Sequence, residues 1–152
     1  MKAVFTAVLV FLLSCSAAAQ APHDVHIVYM GGDDCPPCVF WRLSELPRLK
    51  ETDVWRSVTF SFVNKTVRSA VPAKSALPPQ VQPFKDKLDA AGGRNIGSPQ
   101  IAFIVDGEVY DYFFGGPTAL EMETRMLAAI KGQDYGRRCT ERGPKWVCQR
   151  VY

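Results

Sequence analysis

Residues 28–46 read VYMGGDDCPPCVFWRLSEL, and they place two cysteines, Cys35 and Cys38, on either side of a pair of prolines. Just upstream, His26 to Met30 is a short apolar run rich in strand formers that stops at Gly31 and Gly32, which reads as a buried strand. Downstream, Val39, Leu43 and Leu46 fall at helical spacing, and Phe40 and Trp41 widen the apolar face. Pro36 and Pro37 suit the first turn of that helix, where a missing N–H costs nothing, and Pro47 should kink or end it. A thiol pair therefore stands where a strand ends and a helix begins.

The flanking sequence extends the pattern. SVTFSFVNK, residues 57–65, puts Val58, Phe60 and Phe62 on one face of a second strand and Thr59, Ser61 and Val63 on the other. Residues 66–80 are proline-spotted and read as a loop, whereas 83–93 offers a short helix opened by Pro83 and stopped at Gly92 or Gly93. Residues 98–116, SPQIAFIVDGEVYDYFFGG, read as two antiparallel strands joined at Asp106-Gly107, a dipeptide suited to the positive φ angles of a tight turn. A last helix begins at the N-cap Thr118, with Glu121 as capping-box partner, carries apolar Leu120, Met126, Leu127 and Ile130, and stops at Gly132. The order β-α-β, irregular insert with a helix, β-β-α predicts an α/β sandwich whose first two strands are parallel. The expected domain is 25–152, with 132–152 as a C-terminal extension.

Residues 1–19 open with Lys2, run apolar from Ala3 to Leu13 and close on small residues, with Ala17 and Ala19 in the A-x-A arrangement of a cleavage site. This is the pattern of an export signal peptide; a membrane span needs ~20 apolar residues. The segment LLSC, ending at Cys15, also has the form of a bacterial lipobox, so a lipid anchor at Cys15 is a second reading. Either way a mature chain of about 130 residues supports one core, and its expected location is the bacterial periplasm, soluble or membrane-anchored. The formal charge of +3 is spread without a basic block, which argues against nucleic acid as a partner. With Cys15 set aside, Cys35, Cys38, Cys139 and Cys148 remain, and in an oxidising compartment four thiols allow two disulfides.

The ordered features resemble the thioredoxin superfamily from roughly Val25 to Lys131: a strand leading into Cys35-Pro36-Pro37-Cys38 at a helix start, a second strand, a Ser98-Pro99 step opening the third, and the Asp106-Gly107 hairpin followed by Gly115-Gly116 and a final helix. The resemblance implies a thioredoxin-like fold with Pro99 cis and packed beside the thiols. It implies an exported thiol–disulfide oxidoreductase, closest to the membrane-side proteins that serve cytochrome or envelope-protein maturation. No cofactor beyond the redox-active disulfide is implied. The implied partners are proteins bearing thiols or disulfides, bound along the Ser98-Pro99 groove, and a membrane or soluble redox partner. Where the family carries a buried acid on the first strand this chain has Tyr29; where it carries a neighbouring lysine it has Phe62; and Asp34 replaces the tryptophan before the first cysteine. The family's proton shuttle is therefore not evident.

A cysteine at a helix N-terminus is favoured as thiolate by unpaired N–H groups and the helix dipole, so Cys35, at the outer edge, is expected to be the nucleophile. Cys38, one turn in, is expected to be shielded and to resolve the mixed disulfide. Pro36 and Pro37 each remove a donor, and Asp33 and Asp34 add negative charge, so the thiolate should be less favoured than in a donor-rich turn. A potential between thioredoxin's and that of the strong periplasmic oxidants follows. An inert Cys35–Cys38 staple is poorly placed, since so small a loop restrains the unfolded chain little. Cys139 and Cys148 flank a turn centred on Arg142-Gly143-Pro144; a disulfide closing about ten residues there is worth roughly 2.5 to 3 kcal/mol. That structural bond is the favoured reading, and a second redox pair relaying electrons to Cys35 and Cys38 the alternative. His23 and His26 do not make a metal site. From a different class, the rival is a binding module that holds a soft metal such as copper(I) between the Cys35 and Cys38 thiolates.

Overall fold

In the computed structural model, which describes residues 21–133 and the strands 139–142 and 145–148, the apolar run before the cysteines forms β1 (Val25–Gly31). All seven of its residues are buried. The reason is its place in a four-stranded sheet: β2 (Thr59–Asn64) pairs with it in parallel, β3 (Gln100–Val105) runs antiparallel on its other side, and β4 (Glu108–Phe114) closes the order β2-β1-β3-β4. Ile27 stands between Phe60 and Phe103, which fixes the register.

Three helices cover the sheet: α1 (Pro36–Lys50), α2 (Lys85–Gly92) and α3 (Ala119–Ile130). Successive strand side chains point to opposite faces, so β1 feeds two cores. On one face Ile27 and Tyr29, with Phe103 and Phe113, pack with Trp41 and Leu49 of α1 and Met122 and Met126 of α3. On the other, Val28 and Met30, with Ala102, Ile104 and Tyr112, meet Leu88 and Ala91 of α2 and Leu77 and Val81 of the insert. The α/β order is the one expected, with a mixed sheet.

Three helical details differ from expectation. α1 runs through Pro47 to Lys50; Pro47 is exposed and close to the helix end, where few backbone hydrogen bonds remain to be lost. The buried face of α1 is Cys38, Trp41 and Leu49, while Phe40 and Leu43 are 67% and 75% exposed. Trp41 wins the inward place because its ring stacks on Tyr29 at 4.5 Å and its Nε1 donates to Pro117 O at 2.7 Å. On α3 the inward stripe is Ala119, Met122, Met126 and Ala129, with Leu120 and Leu127 turned outward.

The β3–β4 turn is the expected two-residue one, with φ of 50° at Asp106 and 83° at Gly107. Asp106 also ties down the start of the chain: its carboxylate accepts from Asp24 N at 3.0 Å and bonds His23 Nδ1 at 2.5 Å. Further along, Phe103 faces Asp111 and Ile104 faces Val109, so Tyr110 is an inserted bulge residue. Asp111 is buried and bridged by Arg125 Nη1 at 2.6 Å, and the guanidinium lies 4.3 Å from the Phe113 ring centroid. This pair ties β4 to α3.

β5 (Cys139–Arg142) and β6 (Lys145–Cys148) pair antiparallel with Cys139 opposite Cys148. The side chains of these two cysteines, and so their expected disulfide, lie outside the described residues, as do the 1–19 segment and Cys15. Among the described residues no helix is long and apolar enough to cross a membrane.

Both halves of the α3 capping box are formed: Glu121 N donates to Thr118 Oγ1 at 3.2 Å, and Thr118 N donates to Glu121 Oε2 at 2.8 Å. Thr118→Ala should lower stability by about 1 kcal/mol, read as a lower urea midpoint at unchanged denaturant slope.

Candidate active site

β1 ends at Gly31, and the chain passes through Asp33 and Asp34 into α1, whose N-cap is Cys35 at φ −119° and ψ 97°. Pro36 and Pro37 take the first two helical positions, so the first amide able to donate is that of Cys38. It donates to Cys35 O at 2.9 Å and to Cys35 Sγ at 3.3 Å. The two sulfurs lie at disulfide distance, with Cα atoms 5.2 Å apart. Both cysteines are fully buried. Cys35 is therefore not the more exposed of the two, as its place at the helix mouth suggested; position at the cap, not exposure, distinguishes it from Cys38.

Gly31 explains how the strand can approach so closely. A Cβ there would lie 2.8 Å from Cys38 Sγ, closer than real Cβ contacts come, and 3.0 Å from Tyr29 Cε1, a tight contact. Tyr29 lies under the pair, its hydroxyl 3.5 Å from Cys38 O, and burial pushes its phenol up to about 12 against the opposing pull of Arg42. Tyr29 is thus a neutral group at physiological pH.

The two aspartates are engaged. Asp33 is ion-paired with Arg42, whose guanidinium also lies 5.2 Å from the Phe62 ring centroid. Asp34 accepts from Val67 N through both oxygens, at 3.1 and 3.0 Å, pinning the segment after β2 to the cysteine loop.

Met30 faces Gln100 across the β1–β3 ladder, so the cysteine loop and the Ser98-Pro99 step leave the sheet at the same end. The Ser98-Pro99 peptide is cis, and Pro99 O accepts from Gly115 N at 3.0 Å. Behind this step is Lys65, which sequence reasoning did not single out. Its N donates to Gly31 O at 3.3 Å, and its Nζ donates to Gly97 O at 2.7 Å, Ser98 Oγ at 2.8 Å and Thr66 O at 3.3 Å. Lys65 is only 5% exposed, and burial pulls its ammonium down to about 8, with Asp34 pulling the other way. Gly97 O also takes Gln100 Nε2 at 2.8 Å, and Gln100 Oε1 accepts from Tyr112 OH at 2.5 Å. A signal for Lys65 was present: Ser61 and Val63 both face inward, and residue 65 continues that alternation.

The expected site residues Cys35, Pro36, Pro37, Cys38, Ser98 and Pro99 thus share one end of the sheet. His23 sits at the opposite end against Asp106, and His26 is buried beside Ser61, its Nε2 2.9 Å from Ser61 Oγ. Among the described residues no three His, Cys, Asp or Glu side chains converge as a metal-binding group, so a soft-metal site here would be limited to the two thiolates. No protein-family model matches the chain, and no curated protein matches it.

Two outcomes follow from this geometry. Gly31→Ala should lose about 1–3 kcal/mol through overpacking against Cys38 and Tyr29, seen as a lowered midpoint in thermal denaturation of the oxidised protein. The Lys65 ammonium, normally at 10.5, is drawn down to about 8 in the fold. Between those values the unfolded chain holds a proton that the folded chain has released, so stability rises with pH across the window. Urea midpoints measured from pH 7 to 10.5 should show this rise in the wild type and a smaller rise in Lys65→Met.

Proposed function

We propose that the chain is an exported thiol–disulfide oxidoreductase of thioredoxin-like fold that exchanges disulfides with protein partners through Cys35 and Cys38. The observation that carries this reading is the cysteine pair at disulfide distance on a helix N-terminus, set at the same sheet end as a cis Ser98-Pro99 step. So close a pair is a poor structural staple, and a helix start is where a thiolate is favoured. Residues 1–19 support export, and with Cys15 as an acylation site the protein would be anchored at a membrane surface.

In the oxidising direction, a partner thiolate attacks the Cys35 sulfur; the Cys35–Cys38 bond breaks, a mixed disulfide forms, and Cys38 leaves as a thiolate that takes up a proton. A second partner thiolate then attacks the partner sulfur of the mixed disulfide, forming the partner's disulfide and releasing Cys35 as thiolate. Two electrons pass from partner to protein. In the reducing direction Cys35 attacks a partner disulfide and Cys38 resolves the intermediate. An extended cysteine-bearing segment docks by backbone pairing along Ser98-Pro99. Since Pro36 and Pro37 have no N–H and, among the described residues, the Cys38 amide is the donor to the Cys35 sulfur, the Cys35 thiolate receives less hydrogen-bond support than a donor-rich turn would give it.

Cys35→Ser should abolish turnover in a disulfide-exchange assay with glutathione and a cysteine-bearing peptide. Cys38→Ser should accumulate mixed disulfides that run as reducible adducts on a non-reducing gel. Full turnover by Cys35→Ser would remove Cys35 from the mechanism.

A further inference from the structure

Lys65 is the only buried ammonium among the described residues. Its three hydrogen bonds go to neutral oxygens, those of Thr66, Gly97 and Ser98, and among the described residues no carboxylate closes on it as an ion pair. Taking such a charge out of water is costly, and an apolar chain of similar length would fill the same space. The ammonium holds Gly97 and Ser98 by hydrogen bonds but carries its charge without an ion-pair partner among the described residues, at the sheet end that carries the cysteines.

Asp34 is the other side of the balance. Gly32 is flanked by both residues: a Cβ placed there would lie 2.9 Å from Asp34 Oδ1 and clash with the backbone carbonyl of Lys65. Asp34 directly precedes Cys35, and its carboxylate holds Val67 N, two residues past Lys65. Beside them, Asp33 is paired with Arg42, and Tyr29 keeps its proton. Lys65, whose N is bonded to Gly31 O at the end of β1, and Asp34, adjacent to Cys35, thus flank the cysteine loop with opposite charge.

We propose that Lys65 and Asp34 form an opposed charge set that fixes the redox poise of the Cys35/Cys38 couple, Lys65 favouring the thiolate formed on reduction and Asp34 disfavouring it. The proposal rests on the oxidoreductase reading. Reduction consumes two electrons, supplied by two glutathione thiols that leave as glutathione disulfide, and turns the Cys35–Cys38 bond into a thiol and a thiolate, with one proton released to solvent. A positive charge held beside that thiolate stabilises the reduced state and makes the couple more oxidising; a negative charge does the reverse.

Wild type, Lys65→Met, Asp34→Asn and the double variant are equilibrated with graded glutathione ratios, and the reduced fraction is read by alkylation and mass. Thiolate absorbance against pH gives a second readout. Lys65→Met should move the equilibrium toward the disulfide by on the order of tenfold, which is ~30 mV for this couple. Asp34→Asn should move it toward the dithiol, and the double variant should return near wild type. If Lys65→Met does not fold, Lys65→Gln and Asp34→Asn carry the comparison. An equilibrium unmoved by Lys65→Met, or moved in one direction by both single variants, overturns the charge set while leaving the oxidoreductase reading intact. A wild type that does not exchange with glutathione at all overturns that reading, and this proposal with it.

Discussion

A strand covered on both faces can hold only side chains that pack, and β1 is that strand here. Its burial over all seven residues sets what surrounds it: α1 and α3 on the Ile27–Tyr29 side, α2 and the insert on the Val28–Met30 side. It also sets where the chemistry sits. The strand ends at Gly31 against Cys38 Sγ, so the thiol pair is held by the most constrained element of the sheet. Tyr29 carries this constraint outward by stacking between Trp41 at 4.5 Å and Phe62 at 5.8 Å. One buried ring thereby links the helix that bears the cysteines to the strand that leads to Lys65.

The polar groups near the thiols are organised around the loop that ends in Pro99. Gly97 O receives both Lys65 Nζ and Gln100 Nε2, and Gln100 is in turn bonded by the buried Tyr112. Buried polar groups are tolerated when they satisfy one another. This network meets that condition with a charge at one end, and burial raises the phenol at the other end, Tyr112, further from ionisation. The loop beside the cysteines is thus fixed by side chains from β2's end, β3 and β4 as well as by backbone bonds such as Gly115 N to Pro99 O.

Element order, the Asp106-Gly107 turn and the Thr118–Glu121 cap were legible because each rests on local chemistry: alternation, positive φ, or a side chain three residues from its amide. The inward faces of α1 and α3 were less so. Spacing alone cannot choose between Leu43 and Trp41, because the choice depends on the stacking partner Tyr29 and on Pro117 O, both distant in sequence. Pro47 misled because its penalty depends on how close to it the helix ends. Cys35 and Cys38 stood out in the sequence, whereas Lys65 did not: its acceptors Gly97 and Ser98 lie more than thirty residues away.

The fastening of His23 and Asp24 to Asp106 has a consequence for orientation. The seven residues of β1 span about 20 Å at ~3.3 Å each, with the Asp106 clamp at one end and the cysteine loop at the other. The described chain enters β1 at the clamped end. Under the exported reading proposed above, a tether joined on the N-terminal side of that clamp would meet the sheet at the end opposite Cys35 and Cys38.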